Sequence, residues 1–520
     1  MSEIAAITYN SHYMFENDSM NFDFPVELHV ARFANNQFIT NADDDYTIPF
    51  ENPDAFKVYL NSTEPVTSPN RESINTVIKN ANQYDLILTT DNEIISSCPN
   101  AKMFLYGTTW LNKGKIDHPD GFGEYDESVD DLSNDKIFEI SFLCSNHSRS
   151  LEGYDIRKDV WSRKNEITNP ILFYSSTRHP ISPDLLPDDD KKHLFNSQFH
   201  IAIESSSVPN YFTEKLIDSF ITKTVPIYWG CPNIGEFFDV NGMIIVNEES
   251  DIIDICNNIT PETYESMLPH IEENYRRAKQ YARRFSDRVI QKIVNEKNRI
   301  DERKNPVLLS IGICSLKERE ESLRQLLEFL GTNTPDIYRG KIEIVVSQDS
   351  GEKTVGHKRN EIISSANGRF VCFVDDDDKV SEDYIRLCAN AITNVEDLDC
   401  IGFSGMYYVN GIPKMTFNHA NRNAGHYKDE NGIQYRPINH LNPVRTSIAR
   451  QIGFPEKNFG EDSDYCDVLF SSNLLEKEVV INKVLYHYFY NDDESRTQGV
   501  AMWGDRLAEI RQWQKENNNE

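Results

Sequence analysis

The sequence predicts an α/β protein in which helices cover parallel sheets. Short runs of β-branched and aromatic residues alternate with helical patterns, as is typical of this class. One series of runs is YDLILTT (84–90), IFEISFLC (137–144), FHIAIES (199–205) and VPIYWG (225–230). A second series begins after Pro306 with VLLSIGICSL, KIEIVVSQDS and GRFVCFVDDDDKV. Two α/β parts are therefore expected.

Length and charge limit the choice of function. A chain of 520 residues is long for one core, so two to four domains are expected. The net charge is −30, from 83 acidic and 53 basic residues. Because such a field repels phosphate backbones and anionic lipids, the composition argues against a general nucleic-acid or membrane-surface binder.

The compartment is predicted from the amino terminus and the cysteines. The segment MSEIAAITYN has no basic stretch followed by an apolar run, and no window approaches the roughly 18 apolar residues of a membrane span. The nine cysteines contain no C-x-x-C pair, which favours reduced thiols. These features predict a cytoplasmic protein without a membrane partner.

A charged helical stretch separates the two α/β parts. Residues 270–305, HIEENYRRAKQYARRFSDRVIQKIVNEKNRIDERKN, have a helical pattern and local basicity. That basicity is typical of phosphate binding or of a solvated helix that joins two domains, and we favour the helix. The expected domains are 1–135, 136–269, the linker 270–305, and 306–520.

Four aspartates follow a buried strand in the carboxyl-terminal part. The apolar residues of RFVCFV predict a parallel strand, and ligands of open α/β sheets bind at the carboxyl ends of such strands. Asp375 and Asp377 are two residues apart, so a turn can direct both carboxylates at one hard cation. The alternative is an acidic cap before the helical pattern SEDYIRL.

Further motifs give residues 306–490 a resemblance to a known family. KRNEIISS precedes the aspartates, and RQIGFPEKNFGEDSDYCDVLF and VLYHYFY follow them. Together these motifs resemble the family 2 glycosyltransferases, whose GT-A fold carries a D-x-D metal motif, then a Glu-Asp pair, and often a histidine.

The family 2 resemblance assigns roles to residues of the carboxyl-terminal part. It implies that Asp375 and Asp377 bind Mn²⁺ or Mg²⁺ on the diphosphate of the donor, which a UDP-sugar would provide. Asp462 would be the general base that takes the proton of the acceptor hydroxyl. Glu461 would orient the acceptor. The rest of the implied donor-binding set is Asp349, Arg359 and Asp376.

A histidine completes the implied metal site. His487 lies in the aromatic run YHYFY, 25 residues after Asp462. A neutral imidazole could be a further metal ligand. A histidine flanked by aromatic residues is also typical of a core position with satisfied hydrogen bonds, and both interpretations remain open.

A second set of motifs lies in the amino-terminal part. Residues 199–246 predict a strand, a polar loop with Glu204, a helix that begins near Thr213, and a strand that ends at Trp229. Thr213 is a suitable cap, and a helix start with Lys215 nearby is a suitable phosphate site. The motif TEK alone also occurs in many purely structural helix starts.

The motifs AIESSSVPNYFTEK and VPIYWG are similar to the carboxyl-terminal half of family 10, the α-1,3/4-fucosyltransferases. Ile203 and Ser205 replace the usual Phe and Asn. The resemblance implies a GT-B-like pair of Rossmann-like domains that uses GDP-fucose or a related donor without a metal. Glu214 would hold the ribose or sugar, Lys215 would bind the diphosphate, and Glu204 would line the fucose pocket. Tyr211, in the same motif, would join the donor-binding set.

Two arginines could be the diphosphate-binding arginine of family 10. In SNHSRSLEGYDIRKDVW, Arg149 and Arg157 follow the Ser-Asn pair at different spacings. We favour Arg157, because it precedes Val160 and Trp161 and so would begin a helix at the end of a strand. The candidate base of the acceptor-side domain is Glu64 in YLNSTEPVTSP, which is also explained as a plain turn residue.

The combined prediction is a bifunctional inverting glycosyltransferase that builds a short glycan on a glycan acceptor. Because the animal members of family 10 are anchored in membranes, the missing apolar segment favours a bacterial or viral source. One alternative is a single active unit joined to a glycan-binding module. Another is an enzyme that glycosylates a nucleic-acid base, although the negative charge argues against it.

Overall fold

A computed structural model describes residues 4–5, 7–9, 20–30, 50, 52–61, 71–111, 129, 132, 135–146, 151–247, 251–283, 285–423, 428–430 and 432–490. The chain divides into two compact units, Met1–Glu296 (unit 1) and Lys297–Glu520 (unit 2). The division lies within the helix Phe285–Glu302, inside the range predicted to be a linker. Among the described helices, none is both long enough and apolar enough to cross a membrane.

Within the part of unit 1 that the structure describes, the strands form two parallel five-stranded sheets and one short antiparallel pair. The strand order is β2-β4-β5-β6-β7 in the first sheet and β12-β11-β10-β8-β9 in the second, and β1 pairs with β3. The mostly apolar strands β4, β5, β6, β10 and β11 are largely buried, as expected of parallel sheets. The strands are β1 Ile4–Ala5, β2 Ile7–Tyr9, β3 Asn21–Phe22, β4 Val26–Val30, β5 Phe56–Asn61, β6 Leu86–Thr89, β7 Ala101–Met103, β8 Ile137–Cys144, β9 Ile171–Ser175, β10 Ser197–Ile203, β11 Val225–Trp229 and β12 Ile244–Ile245.

Helices cover the second sheet of unit 1 on two faces. Leu216, Ile217 and Phe220 pack on one face with Phe238, and Ile140 and other strand residues form the core of the other. The helices of unit 1 are α1 Arg71–Asn80, α2 Asn92–Ser97, α3 Glu152–Ser162, α4 Glu214–Ile221, α5 Ile252–Asn258, α6 Pro261–Ala278 and α7 Phe285–Glu302, whose last residues belong to unit 2.

The described residues of unit 2 form one mixed sheet. Strands β14, β13 and β15 are parallel, and the order continues β21-β17-β18-β20-β19, with β22 paired to β16 and β17. The strands are β13 Leu309–Leu316, β14 Ile342–Asp349, β15 Phe370–Phe373, β16 Lys379–Val380, β17 Cys400–Val409, β18 Ile412–His419, β19 Lys428–Glu430, β20 Ile433–Arg436, β21 Val444–Arg445 and β22 Glu478–Tyr490.

Helices pack on both faces of the unit 2 sheet. Leu323, Leu326 and Leu330 recur at helical spacing and face one core, whereas Ile362 and Leu469 belong to the other. The helices are α8 Glu320–Thr332, α9 Val355–Ser365, α10 Tyr384–Asn394, α11 Thr446–Ile452 and α12 Glu461–Ser472. The α/β class with parallel sheets is therefore confirmed.

Candidate functional sites

The first candidate site lies in unit 1, where β10 ends and α4 begins. Glu204 follows β10 directly and is fully buried. The Thr213 N–H donates to Glu204 Oε1 at 2.7 Å, and the Thr213 hydroxyl donates to Glu204 Oε2 at 2.8 Å. Thr213 is also the N-cap of α4. Thr213 therefore both caps the predicted helix and binds the predicted acidic residue, Glu204.

Two lysines face Glu214, the first residue of α4. Lys215 Nζ lies 3.0 Å from Glu214 Oε1, and Lys191 Nζ lies 3.4 Å from the same oxygen. Burial opposes ionisation of Glu214, but the charges of Lys215 and Lys191 lower its pKa to about 2. Lys215 keeps 24% of its side chain exposed against 7% for Lys191. A ligand can therefore reach Lys215 more easily.

Glu204 differs electrostatically from Glu214. Burial raises the pKa of Glu204, and Lys215, whose Nζ lies 3.8 Å from Glu204 Oε2, only partly offsets it. The surroundings of Glu204 are closely packed, since a Cβ at Gly230 would lie 2.5 Å from Glu204 Cγ. Hydrogen bonds from Thr213 thus hold the Glu204 carboxylate in place, and the lack of a side chain at Gly230 leaves room for it.

Asp218 extends this cluster. Its Oδ1 accepts from the Thr109 hydroxyl at 2.7 Å and from the Trp110 N–H at 3.0 Å. Its Oδ2 lies 3.8 Å from Lys191 Nζ, which sits 4.2 Å from the centre of the Trp110 ring. Burial raises the pKa of Asp218 to about 7. Lys191 and Asp218 were missed by the sequence analysis. Lys191 lies in PDDDKKH, which has the composition of an exposed turn, and Asp218 lies within the mostly apolar run of α4.

The other predicted residues of unit 1 have the following positions. Tyr211 is buried, and its hydroxyl lies 3.1 Å from Ser205 Oγ. Arg157 lies on α3, where its Nε donates to the Ile203 carbonyl at 3.0 Å, so it braces the end of β10 just before Glu204. Arg149 and Glu64 lie outside the described residues.

The second candidate site lies in unit 2, at the carboxyl ends of β13, β14 and β15. Asp349 ends β14 and accepts from Lys358 Nζ at 2.7 Å and from the Lys353 N–H at 2.7 Å. Although burial opposes them, these hydrogen bonds lower the pKa of Asp349 to about 2. Lys358 also donates to the Ser315 carbonyl at 3.0 Å and so joins β13 to β14.

The four aspartates after β15 have different surroundings. Asp376 accepts from the Ser315 hydroxyl at 2.7 Å and from Arg319 Nη1 at 2.8 Å, and the same Nη1 lies 2.8 Å from Asp377 Oδ2. Asp378 accepts from the Tyr486 hydroxyl at 2.8 Å. Hydrogen bonds at the buried side chains of Asp376 and Asp378 therefore fix the aspartate loop, which is not a freely solvated run.

Asp375 faces α9 and α12. Arg359 Nη2 lies 3.4 Å from Asp375 Oδ1 and 3.5 Å from Glu461 Oε1. Burial acts to raise the pKa of Asp375, but the positive charge of Arg359 contributes to lowering that pKa below its usual range. For Glu461, burial raises the pKa more than Arg359 lowers it. Asp462 follows Glu461 on α12, and its charge also acts on Arg359, so the structure brings Arg359, Asp375 and the Glu-Asp pair together.

The carboxylates Asp375 and Asp377 suit a hard cation, which prefers oxygen ligands. Burial and the charge of Asp375 raise the pKa of Asp377, and a cation would relieve this repulsion. However, no three His, Cys, Asp or Glu side chains of the described residues form a metal-binding group. His487 pairs with Lys379 across β22 and β16, and its Nδ1 lies 3.3 Å from the Tyr408 hydroxyl. Asp375 and Asp377 thus lie on one loop, and among the described residues they form no three-residue metal-binding group with His487.

Two further residues of this site were missed by the sequence analysis. Arg319 lies in the short turn Lys317–Arg319 after β13, and His440 Nε2 lies 3.7 Å from Asp375 Oδ2. Neither position has a local motif. Only the parallel pairing of β13 and β15 could have suggested that a cation after β13 would face the aspartates.

Parts of the chain are similar to known glycosyltransferases, the class that the sequence predicts. Residues 170–305 match the family model described as glycosyltransferase family 10 (fucosyltransferase), C-term. The α-(1,3)-fucosyltransferase FucT of Helicobacter pylori is 27% identical over 108 residues, which are 21% of this chain and 21% of that protein. The chain thus spans about a fifth of the length of this curated relative. Residues 170–305, which hold Glu204 and Glu214, are therefore a family 10-like domain.

The chain is also similar to solved structures. An α1,3-fucosyltransferase with GDP-fucose is 18% identical with a TM-score of 0.31, covering 52% of this chain and 77% of that chain. S. aureus TarS 1-349 in complex with UDP-GlcNAc is 19% identical with a TM-score of 0.27, covering 37% of this chain and 61% of that chain.

Proposed function

We propose that the chain is a bifunctional inverting glycosyltransferase with one donor site in each unit. Unit 1 would transfer fucose from GDP-fucose or a related donor, and unit 2 would transfer a sugar from a UDP-sugar with a divalent cation. The observation that carries the proposal is the cluster of Glu204, Thr213, Glu214 and Lys215, because it lies inside the segment that matches family 10.

In unit 1, the geometry suits a nucleotide diphosphate. Lys215 is the more exposed of the two lysines at the start of α4, so its ammonium can bind a phosphate oxygen. Lys191 would then remain as the counter-ion of Glu214, which could accept hydrogen bonds from ribose or sugar hydroxyls. Glu204 would line the fucose pocket, with Tyr211 beside it. Arg157 would bind the diphosphate only after leaving the Ile203 carbonyl.

In unit 2, Asp462 would be the general base. It would take the proton of the acceptor hydroxyl as that oxygen forms its bond to the anomeric carbon, and the bond to the diphosphate would break with its electron pair. Glu461 would orient the acceptor, and Asp349 would face the nucleotide. Asp375 and Asp377 would hold Mn²⁺ or Mg²⁺, which would supply positive charge to the departing diphosphate.

A turnover assay on the full chain tests this proposal. The parent should release GDP from GDP-fucose in the presence of EDTA, and Lys215→Ala should reduce that release at least about 100-fold. Lys279→Ala, on the short turn Lys279–Ala282, is the control and should keep the parent rate. If the parent releases no GDP with any of a panel of glycan acceptors, the assignment of unit 1 is wrong.

A further inference from the structure

His440 has a fixed position at the second site. The Phe373 N–H donates to the His440 carbonyl at 2.9 Å, which ties the residue to the end of β15. The following residues are held too, since the Tyr384 hydroxyl donates to the Leu441 carbonyl at 3.4 Å and Asn442 Nδ2 donates to the Ile401 carbonyl at 3.0 Å. The backbone therefore places the imidazole next to Asp375.

The His440 side chain is buried without hydrogen bonds. It is 8% exposed, and neither ring nitrogen has a hydrogen-bond partner among the residues that the structure describes. Nε2 lies 3.7 Å from Asp375 Oδ2, too far for a hydrogen bond. Because buried polar atoms without partners destabilise a fold, such a group calls for an explanation.

Arg359 shares this feature. It is 4% exposed, and its Nε and Nη1 also have no hydrogen-bond partner in the described part of the chain. Its guanidinium lies 5.4 Å from the ring centres of both Phe373 and Phe454. Asp375 thus has Arg359 on one oxygen and an unpaired imidazole near the other.

We propose that His440 and Asp375 together bind one hydroxyl group of a donor sugar, so that His440 is a specificity residue of unit 2. The inference rests on the function proposed above for unit 2. A sugar hydroxyl donates one hydrogen bond and accepts others, so it can donate to Asp375 Oδ2 and accept from His440. A phosphate oxygen only accepts, and it would face the negative charges of Asp375 and Glu461. An ionised carboxylate has about four acceptor sites, so Asp375 can also serve a cation.

Binding measurements on the full chain with Mn²⁺ test this inference. The probes are UDP, UDP-GlcNAc and UDP-glucose, titrated calorimetrically. His440→Phe keeps an aromatic ring and removes both nitrogens, and His440→Gln restores one donor. The control is His357→Phe, because His357 is half-exposed on α9 and pairs with Glu456. His440→Phe should bind the preferred UDP-sugar about 10- to 100-fold more weakly and UDP unchanged, with partial recovery in His440→Gln.

Stability separates this role from a purely structural one. Removing unpaired buried nitrogens should leave the melting temperature of His440→Phe equal to or above that of the parent. If His440→Phe keeps the parent's ratio of UDP-sugar to UDP affinity, the sugar subsite is overturned while the function of unit 2 stands. The subsite is likewise overturned if the parent binds UDP and both UDP-sugars equally. If the parent binds neither UDP nor a UDP-sugar, the proposed function of unit 2 falls and the subsite with it.

Discussion

The Lys191 ammonium lies 3.4 Å from the Glu214 carboxylate, and both side chains are more than nine-tenths buried. Glu214 therefore has a counter-ion of its own besides Lys215. This second counter-ion lets the more exposed Lys215 turn to a ligand without leaving a buried carboxylate unpaired.

Lys191→Met should destabilise unit 1 and weaken donor binding. The substitution leaves Glu214 and Asp218 without their buried cation, which should lower the free energy of unfolding by about 3 kcal/mol. Lys215 would then be held by Glu214, so the affinity for GDP should fall about tenfold or more. Urea denaturation and calorimetry measure the two effects. Lys192→Met, at the neighbouring half-buried position, is the control. Equal losses in the two variants would contradict this account of Lys191.

Gly230→Ala should displace Glu204. The new Cβ would lie 2.5 Å from Glu204 Cγ and 2.7 Å from the Tyr228 hydroxyl, so one of them must move. We expect a loss of about 1–3 kcal/mol in stability and a clear drop in GDP release from GDP-fucose. At Gly235 a Cβ would meet only Val240 Cγ1 at 3.3 Å, and Gly235→Ala should behave nearly as the parent. A fully active Gly230→Ala chain would show that Glu204 needs no fixed position.

Asp218 should make unit 1 less stable as the pH rises. Burial raises its pKa to about 7, whereas an aspartate of the unfolded chain titrates near 3.9. Asp218 therefore adds to the free energy of unfolding in full below about pH 4. This addition is lost as the pH rises towards 7, because over that range only the unfolded chain releases the proton.

Asp218→Asn removes this titration. Relative to the parent, it should gain stability between about pH 4 and pH 7, by at most about 4 kcal/mol. Urea denaturation at several pH values measures the difference. The pKa of Asp239 is lowered, with His270 contributing, so Asp239→Asn should lack this gain. A stability difference between parent and Asp218→Asn that does not change with pH would refute the raised pKa.

In unit 2, two lysines near Asp349 should differ in their effect on stability. Lys358 and Asp349 are both at least nine-tenths buried, so Lys358→Met should cost about 3–5 kcal/mol. Lys353 pairs with Glu361 at the surface, and Lys353→Met should cost no more than about 1 kcal/mol. Chemical denaturation of the two variants provides the comparison. Similar losses would mean that Asp349 does not depend on its buried partner.

The elements that continuous apolar runs define were predictable from the sequence. The run before Asp375 is indeed a strand, and the helix predicted to begin near Thr213 has Thr213 as its N-cap. Lys191 was not predictable, because its burial comes from packing on Trp110, about 80 residues earlier in the chain. His440 likewise reaches the aspartates through tertiary structure alone.

The register of strand β22 was also not predictable from the sequence. The sequence marks the run YHYFY as a strand, but it does not say which residue of the run faces the aspartates. Pairing of β22 with β16 sets His487 opposite Lys379, while Tyr486 reaches Asp378. Neighbouring residues of this strand therefore have different partners: the Tyr486 hydroxyl donates to Asp378, whereas His487 Nδ1 lies 3.3 Å from the Tyr408 hydroxyl.

The claim that the two units carry chemically different donor sites is tested most directly by donor binding to the full chain before and after EDTA. GDP-fucose should bind equally well in both conditions, whereas a UDP-sugar should bind only when Mn²⁺ is restored, and not to Asp375→Asn. Loss of GDP-fucose binding in EDTA, or UDP-sugar binding that persists there, would show that the two donor sites do not differ in this way.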